Sequence, residues 1–300
     1  MIVNGDLVTR KSYQHDIIFR VKSADRPIVK LMGEHIRLEA DAPYEDLEKV
    51  SGSEYHRRKQ QVDEQEAYSY RLFRQDYRLL KEKRDAEAGN GYQTGTEAKY
   101  FQIPPRILHL DGDPLFLKKC IALYEQLGLQ VHGQYLHEKE MPHRIMDLVE
   151  KVHPQIVVLT GHDSYSKAKG TTRELEAYRH SRYFVEAVRN IRRKYPNFDQ
   201  LVIFAGACQS HFESIIKAGA NFASSPARVN IHAIDPVYVA ARIAYTSFMD
   251  HINIWEVIRN TISGEKGLGG VETKGLLRIG IPYSEEAEEI EGTEETGENQ

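Results

Sequence analysis

Only two cysteines, Cys120 and Cys208, occur in 300 residues. That is too few for a disulfide framework and too few thiolates for a structural zinc site, so any special role for a cysteine must be chemical. Long apolar runs are missing too. None reaches the roughly 18 to 20 residues that a bilayer requires, and residues 1–6 lack the charged-then-apolar pattern of an export signal. Cytoplasmic synthesis and no membrane partner are therefore expected. A strong charge of one sign is absent as well. The formal net charge is −4, yet residues 284–300 hold eight glutamates and no base, so removing them leaves the other 283 residues at +4. A body so weakly basic gives no reason to expect a nucleic-acid partner. Compact metal-ligand spacing is also lacking: His132, His137 and His143 lie close together, but no HExxH arrangement occurs. No metal and no cofactor are expected. The glycine-rich stretch 263–270 fits no Walker pattern and follows a predicted helix, which suggests a mobile loop near a substrate cleft.

What is present reads as an α/β chain behind a small β module. Short β-type runs at 6–9, 17–21, 28–32 and 35–39, separated by turn formers, predict a small barrel over residues 1–52 that resembles SH3-like modules. Residues 54–88 turn charged and aromatic, with Leu72, Phe73, Tyr77 and Leu80 at three-to-four spacing. This predicts an amphipathic helix whose stripe packs on a neighbouring domain or on a second copy in a homodimer. Residues 89–99 read as a flexible linker, so helix and linker together span 53–103. Residues 104–283 alternate strand and helix. Strands are predicted at 106–110, 130–136, 155–160 and 201–205, and helices at 115–127, 144–152, 174–195 and 210–218. Near-continuous apolar strands such as Ile156-Val157-Val158-Leu159 call for a mostly parallel sheet covered on both faces. The acidic tail 284–300 reads as disordered.

Right-handed crossovers put the loops after such strands on one rim, where ligands bind. His162 ends one apolar strand and Cys208 ends the next, 46 positions later. A cysteine peptidase needs a thiolate, a base to generate it and N–H donors for the developing oxyanion. Cys208 as nucleophile and His162 as base meet the first two needs. A following helix would lower the thiol pKa, and Ala205, Gly206 and Ala207 permit a tight turn. Cys120, on the apolar side of a predicted helix, reads as a core residue. His211 is the rival base, three positions after Cys208, but it would point away from substrate.

An apolar block and His, followed about fifty residues later by an apolar block and Ala-Cys, resembles the caspase-like peptidases. More closely, Thr160-Gly161-His162-Asp163-Ser164-Tyr165 with Phe204-Ala205-Gly206-Ala207-Cys208-Gln209-Ser210 is similar to the YabG family of sporulation peptidases, over essentially the whole chain. That resemblance implies a caspase-like α/β fold. It also implies a protease of the mother-cell cytoplasm that becomes associated with the spore coat, trims coat and related morphogenetic proteins, and cuts mainly after arginine. Caspase-like enzymes place Gly after the histidine and use its N–H in the oxyanion hole. Asp163 stands there instead. Its backbone N–H is the expected second donor beside that of Cys208, although its carboxylate would put negative charge near the anion; orienting the imidazole is its other use.

An arginine at the cleavage position calls for a pocket carboxylate. Asp111 and Asp113 lie past the first strand of the sheet, on the rim of the dyad, and Asp235 is the alternative. Asp113-Pro114 also suits a plain helix start. Self-cleavage in the stretch 84–100 is a further expectation. The rival from another class is a non-catalytic adaptor that assembles coat proteins through the barrel and helix.

Overall fold

The computed structural model describes residues 1–90 and 101–280, and side chains only outside 84–90. Five short strands come first: β1 (Leu7–Arg10), β2 (Phe19–Ser23), β3 (Ile28–Gly33), β4 (Glu39–Pro43) and β5 (Leu47–Lys49). They form an antiparallel sheet in the order β4-β3-β2-β1-β5, and Val8, Phe19, Val29 and Leu31 fill its core. The fourth strand differs from expectation. It starts at Glu39, where the sequence pattern predicts 35–39. His35-Ile36-Arg37-Leu38 does alternate, but its β-bridges run outside the barrel: Ile36 bridges His232 antiparallel and Leu38 bridges Asp163 in parallel. An extended pattern states the backbone conformation, not which strand it pairs with.

Helix α1 (Gly52–Asn90) runs on from β5 for 39 residues. Its aromatic stripe finds its partner within the chain. Phe73 packs on Tyr238 and Tyr245 with ring centroids 5.6 and 6.5 Å apart, and Tyr77 lies 4.4 Å from Tyr245. The stripe therefore requires no second copy. Of the expected linker, Gly89 and Asn90 continue the helix, and 91–99 lie outside the described residues, as does the tail 284–300.

The rest is built on strands β6 (Phe101–Ile103), β7 (Ile107–Asp111), β8 (Val131–Tyr135), β9 (Ile156–Thr160), β10 (Val202–Ala205), β11 (Phe222–Ser224), β12 (His251–Ile252), β13 (Leu268–Gly270), β14 (Thr273–Lys274) and β15 (Arg278–Gly280). The helices are α2 (Pro114–Gln126), α3 (Met141–Val152), α4 (Ser181–Lys194), α5 (Phe212–Lys217), α6 (Asp235–Tyr245), α7 (Ile254–Ile258) and α8 (Gly264–Gly267). Six strands form the main sheet in the order β13-β11-β10-β9-β7-β8, parallel except for the antiparallel edge β13. Both faces are covered. Ile156 and Val158 face a core with Tyr124 of α2 and Tyr238 of α6, whereas Val157 and Leu159 face one with Ile145 of α3 and Phe184 of α4. The strand order reverses between β7 and β9, the place where the carboxyl ends of such a sheet open a crevice.

Two boundaries depart from the sequence pattern. The helix expected from residue 174 starts at Ser181, because 175–177 form a separate 3-10 turn and Asp163 accepts hydrogen bonds from the start of the true helix. The glycine-rich stretch, expected as a mobile loop, instead supplies α8 and edge strand β13. Small residues are needed there for close approach: a Cβ on Gly270 would stand 2.4 Å from the Asn221 carbonyl oxygen.

Candidate active site

Three strand ends converge at the reversal point. Register pairs Asp111 of β7 with Thr160 of β9, and Leu159 of β9 with Ala205 of β10. His162 and Cys208 therefore leave the same sheet edge on neighbouring strands. Gly206 permits the turn after β10. Its φ of 118° lies in the left-handed region, and a Cβ there would meet Ser224 Cβ at 3.1 Å. Gln209, also left-handed at φ 56°, is held by its side chain, which accepts from the Tyr165 N–H and donates to Asn230.

Cys208 is fully buried, next to Leu38 and Ile231 in the apolar cluster of the N-terminal sheet. Its sulfur accepts from the Ile231 N–H at 3.2 Å, and the thiol donates to the Ile231 carbonyl at 3.6 Å, so its partners are a backbone segment rather than the imidazole of His162. Burial pushes the thiol up to about 12, against the opposing pull of backbone hydrogen bonds and the Arg37 charge. The expected lowering by a following helix is absent for a structural reason: α5 starts only at Phe212, with His211 as its cap.

His162 is also buried. Nε2 lies 3.3 Å from Asp113 Oδ2 without an aligned hydrogen bond, and Nδ1 lies 3.9 Å from Glu138 Oε1. Burial pushes the imidazole pKa down, opposed by the charges of Asp113, Glu138 and Asp111. A neutral imidazole with carboxylates near both nitrogens is suited to accept a proton and to be stabilised once it has one. Glu138 was not legible in the sequence, yet its carboxylate accepts from the His162 N–H at 2.7 Å. Gly112 and Gly161 leave it room; a Cβ on either would come within 2.1 or 2.3 Å of Glu138 Oε1.

The Asp163 carboxylate is taken up by four hydrogen bonds. It accepts from Ser164 N–H (2.9 Å), His180 N–H (2.8 Å), Ser181 hydroxyl (2.5 Å) and Ser210 hydroxyl (2.9 Å). The Ser210 hydroxyl oxygen in turn accepts from the Ala207 N–H at 2.9 Å. Asp163 thus ties the loop after β9 to the loop after β10 through Ser210, which the sequence reading missed. Burial raises its pKa, with the hydrogen bonds from Ser181, His180 and Ser164 opposing. Its backbone N–H and that of Cys208 both point at one atom, the carbonyl oxygen of Arg37, at 3.3 and 3.1 Å.

Arg37 is the largest fully buried side chain in the described residues. Its guanidinium makes a two-oxygen pair with Asp111 at 2.8 and 2.7 Å, donates to the Ala233 carbonyl at 2.8 Å and reaches Cys120 Sγ at 3.4 Å. It also lies over the Phe116 ring at 5.2 Å. Burial acts to raise the Asp111 pKa, but the Arg37 charge prevails and holds it well below the usual carboxylate range. Cys120, expected only as core, forms part of this pocket. Asp113 caps α2, accepting from Leu115 and Phe116 N–H. Asp235 lies elsewhere: its carboxylate accepts from Ile262 and Ser263 N–H at 2.8 and 3.1 Å, so it ties down the loop before α8 and does not face the guanidinium. His211 is likewise engaged, with Nδ1 on the Ser214 N–H and Nε2 3.1 Å from the Arg173 carbonyl. His109, Asp111 and Cys120 bring ligand atoms within 4.8 Å of one another, as a metal ion would need, but the cationic group among them is the Arg37 guanidinium.

Residues 3–282 match the family model described as YabG peptidase U57. The chain is 53% identical over 284 residues to the sporulation-specific protease YabG of Bacillus subtilis (strain 168), covering 93% of this chain and 97% of that protein.

Proposed function

Because the chain belongs to the YabG peptidase U57 family, we propose that it is a cysteine endopeptidase of caspase-like architecture, with Cys208 as nucleophile and His162 as general base. The observation that carries this reading is the convergence of the Cys208 and Asp163 N–H groups on one carbonyl oxygen, that of Arg37. Two N–H donors aimed at one oxygen is the arrangement a tetrahedral oxyanion requires. Cys208 attacks the scissile carbonyl, His162 takes the thiol proton and passes it to the leaving amine, and water hydrolyses the thioester. Glu138 and Asp113 position and stabilise the imidazolium. Asp111 is the pocket carboxylate that selects arginine, supported by its two-oxygen grip on a buried guanidinium. Asp113 serves the histidine, and Asp235 leaves the pocket.

By likeness to the Bacillus subtilis protein, whose name places it in sporulation, the substrates are spore-coat and related morphogenetic proteins. The site of action is then the mother-cell cytoplasm and the forming coat. No described helix is long and apolar enough to cross a membrane. The N-terminal sheet over 1–52 acts as an SH3-like module, the stretch 53–103 joins it to the peptidase, and 104–283 carry the chemistry. Incubation of an arginine-rich protein with wild type, C208A and H162A tests the reading. Cleavage after arginine by wild type alone is expected; cleavage by C208A would refute the nucleophile, and none by any chain would favour the adaptor.

A further inference from the structure

We infer that the chain is its own substrate, and that the bond Cys208 cuts is Arg37–Leu38. This rests on the cysteine-peptidase reading and adds a scissile bond to it. Two features of a bound substrate, a carbonyl oxygen held by two N–H donors and a side chain in a carboxylate pocket, come from one loop between β3 and β4. The Arg37 carbonyl oxygen takes both N–H donors assigned to the oxyanion, from Cys208 at 3.1 Å and Asp163 at 3.3 Å. The Arg37 side chain fills the Asp111 pocket, with additional bonds to the Ala233 carbonyl and Cys120. On the amino side Ile36 bridges His232 antiparallel, and on the carboxyl side Leu38 bridges Asp163 in parallel, so backbone pairing holds the chain on both sides of the bond.

The chain beyond the bond is clamped as well. Glu39 pairs with Arg179 at 3.1 Å and lies 3.1 Å from His180 Nε2, and Asp41 pairs with Arg179. Burial would raise the Glu39 pKa, but His180 and Arg179 hold it at about 2. A loop that serves only to pack the N-terminal sheet has no need of a guanidinium in a carboxylate pocket 74 positions along the chain together with a carbonyl in a two-donor hole. With Arg37 seated, Cys208 and His162 are sealed from solvent, so another protein reaches the dyad only after the loop leaves.

The step balances without a co-reactant other than water. Cys208 Sγ bonds to the Arg37 carbonyl carbon as the bond to the Leu38 nitrogen breaks, and the thiol proton passes through His162 to the new Leu38 amine. Water then adds its oxygen to that carbon and returns a proton to sulfur. A carboxylate remains on Arg37, and the chain is divided between β3 and β4.

Purified full-length wild type, C208A and R37Q are incubated at neutral pH and followed by intact mass and N-terminal sequencing, with an arginyl peptide assay run on the same samples. Wild type should yield a chain starting at Leu38 and a fragment ending at Arg37, and C208A should yield neither. R37Q should lose this cut at least 100-fold. The wild-type fragments are diagnostic even if R37Q fails to fold. Wild type that stays joined at Arg37–Leu38, or that is cut only at another arginine such as Arg84, overturns the inference. The peptide assay separates the two layers: peptide cleavage by R37Q or wild type, lost in C208A, leaves the cysteine-peptidase reading standing, whereas equal cleavage by C208A removes both.

Discussion

Replacing Arg37 by methionine in a C208A background removes a buried cation while keeping most of the aliphatic volume. Arg37 and Asp111 are both fully buried, and the pair is held by contacts of 2.7 and 2.8 Å. Removing one partner of such a pair costs about 3–5 kcal/mol, because the other charge stays buried without compensation. The sign of its pH dependence follows from Asp111. In the parent chain its folded pKa is depressed by Arg37, so the pairing contributes fully above the unfolded value near 4 and is lost as pH falls through the folded value. Without Arg37, burial is the leading influence and lifts the folded pKa above the unfolded one. The penalty is then present above that raised value and vanishes below about pH 4. Urea unfolding should show the full deficit at about pH 8 and a smaller one at about pH 5. Adding D111N should return about 1–3 kcal/mol at the higher pH, as expected for directly coupled partners. A deficit equal at both pH values and unchanged by D111N would refute the claim that this pair secures the loop.

Three further expectations concern the surroundings. Gly161→Ala puts a Cβ 2.3 Å from Glu138 Oε1; displacing that carboxylate strips the His162 N–H of its acceptor, which should cost about 1–3 kcal/mol by thermal unfolding and on the order of 100-fold in peptide cleavage. The Glu39 clamp, with its carboxyl held at about 2, contributes above the unfolded value near 4.5 and is lost as pH falls from there toward 2. Hydrogen exchange in residues 34–41 should therefore rise on acidification, and E39Q should largely remove that response. While Arg37 is seated, a buried thiol at about 12 should react with iodoacetamide at about pH 8 more than about 1,000-fold slower than in denatured protein. H162A, which is expected to stay intact, gives the chain in which to measure it; fast native labelling of Cys208 would contradict the buried geometry.

How much was visible in advance follows from the range of each interaction. Apolar strands β7, β9 and β10 and the helix α1 are written in local periodicity, so they were legible to within a residue or two. The positions of His162 and Cys208 at adjacent strand ends follow from the same pattern, since parallel crossovers leave little choice of edge. Glu138 looks like any surface glutamate in Leu136-His137-Glu138-Lys139; its burial depends on two glycines in other loops. Arg37 sits in an alternating stretch that reads as one more barrel strand, and its partners lie 74 to 196 positions away. The helix assumed to open at Ser210 was misjudged because His211 can cap, and Ser210 is drawn into the Asp163 knot instead.

The central claim is that Cys208 is the atom that attacks. An arginyl chloromethyl ketone, applied to R37Q so that no guanidinium of the chain itself competes for Asp111, should inactivate the protein with one adduct per chain, mapped by peptide mass spectrometry to Cys208. Inactivation with the adduct on Cys120 or on a histidine while Cys208 stays free, or undiminished cleavage after complete modification of Cys208, would contradict it.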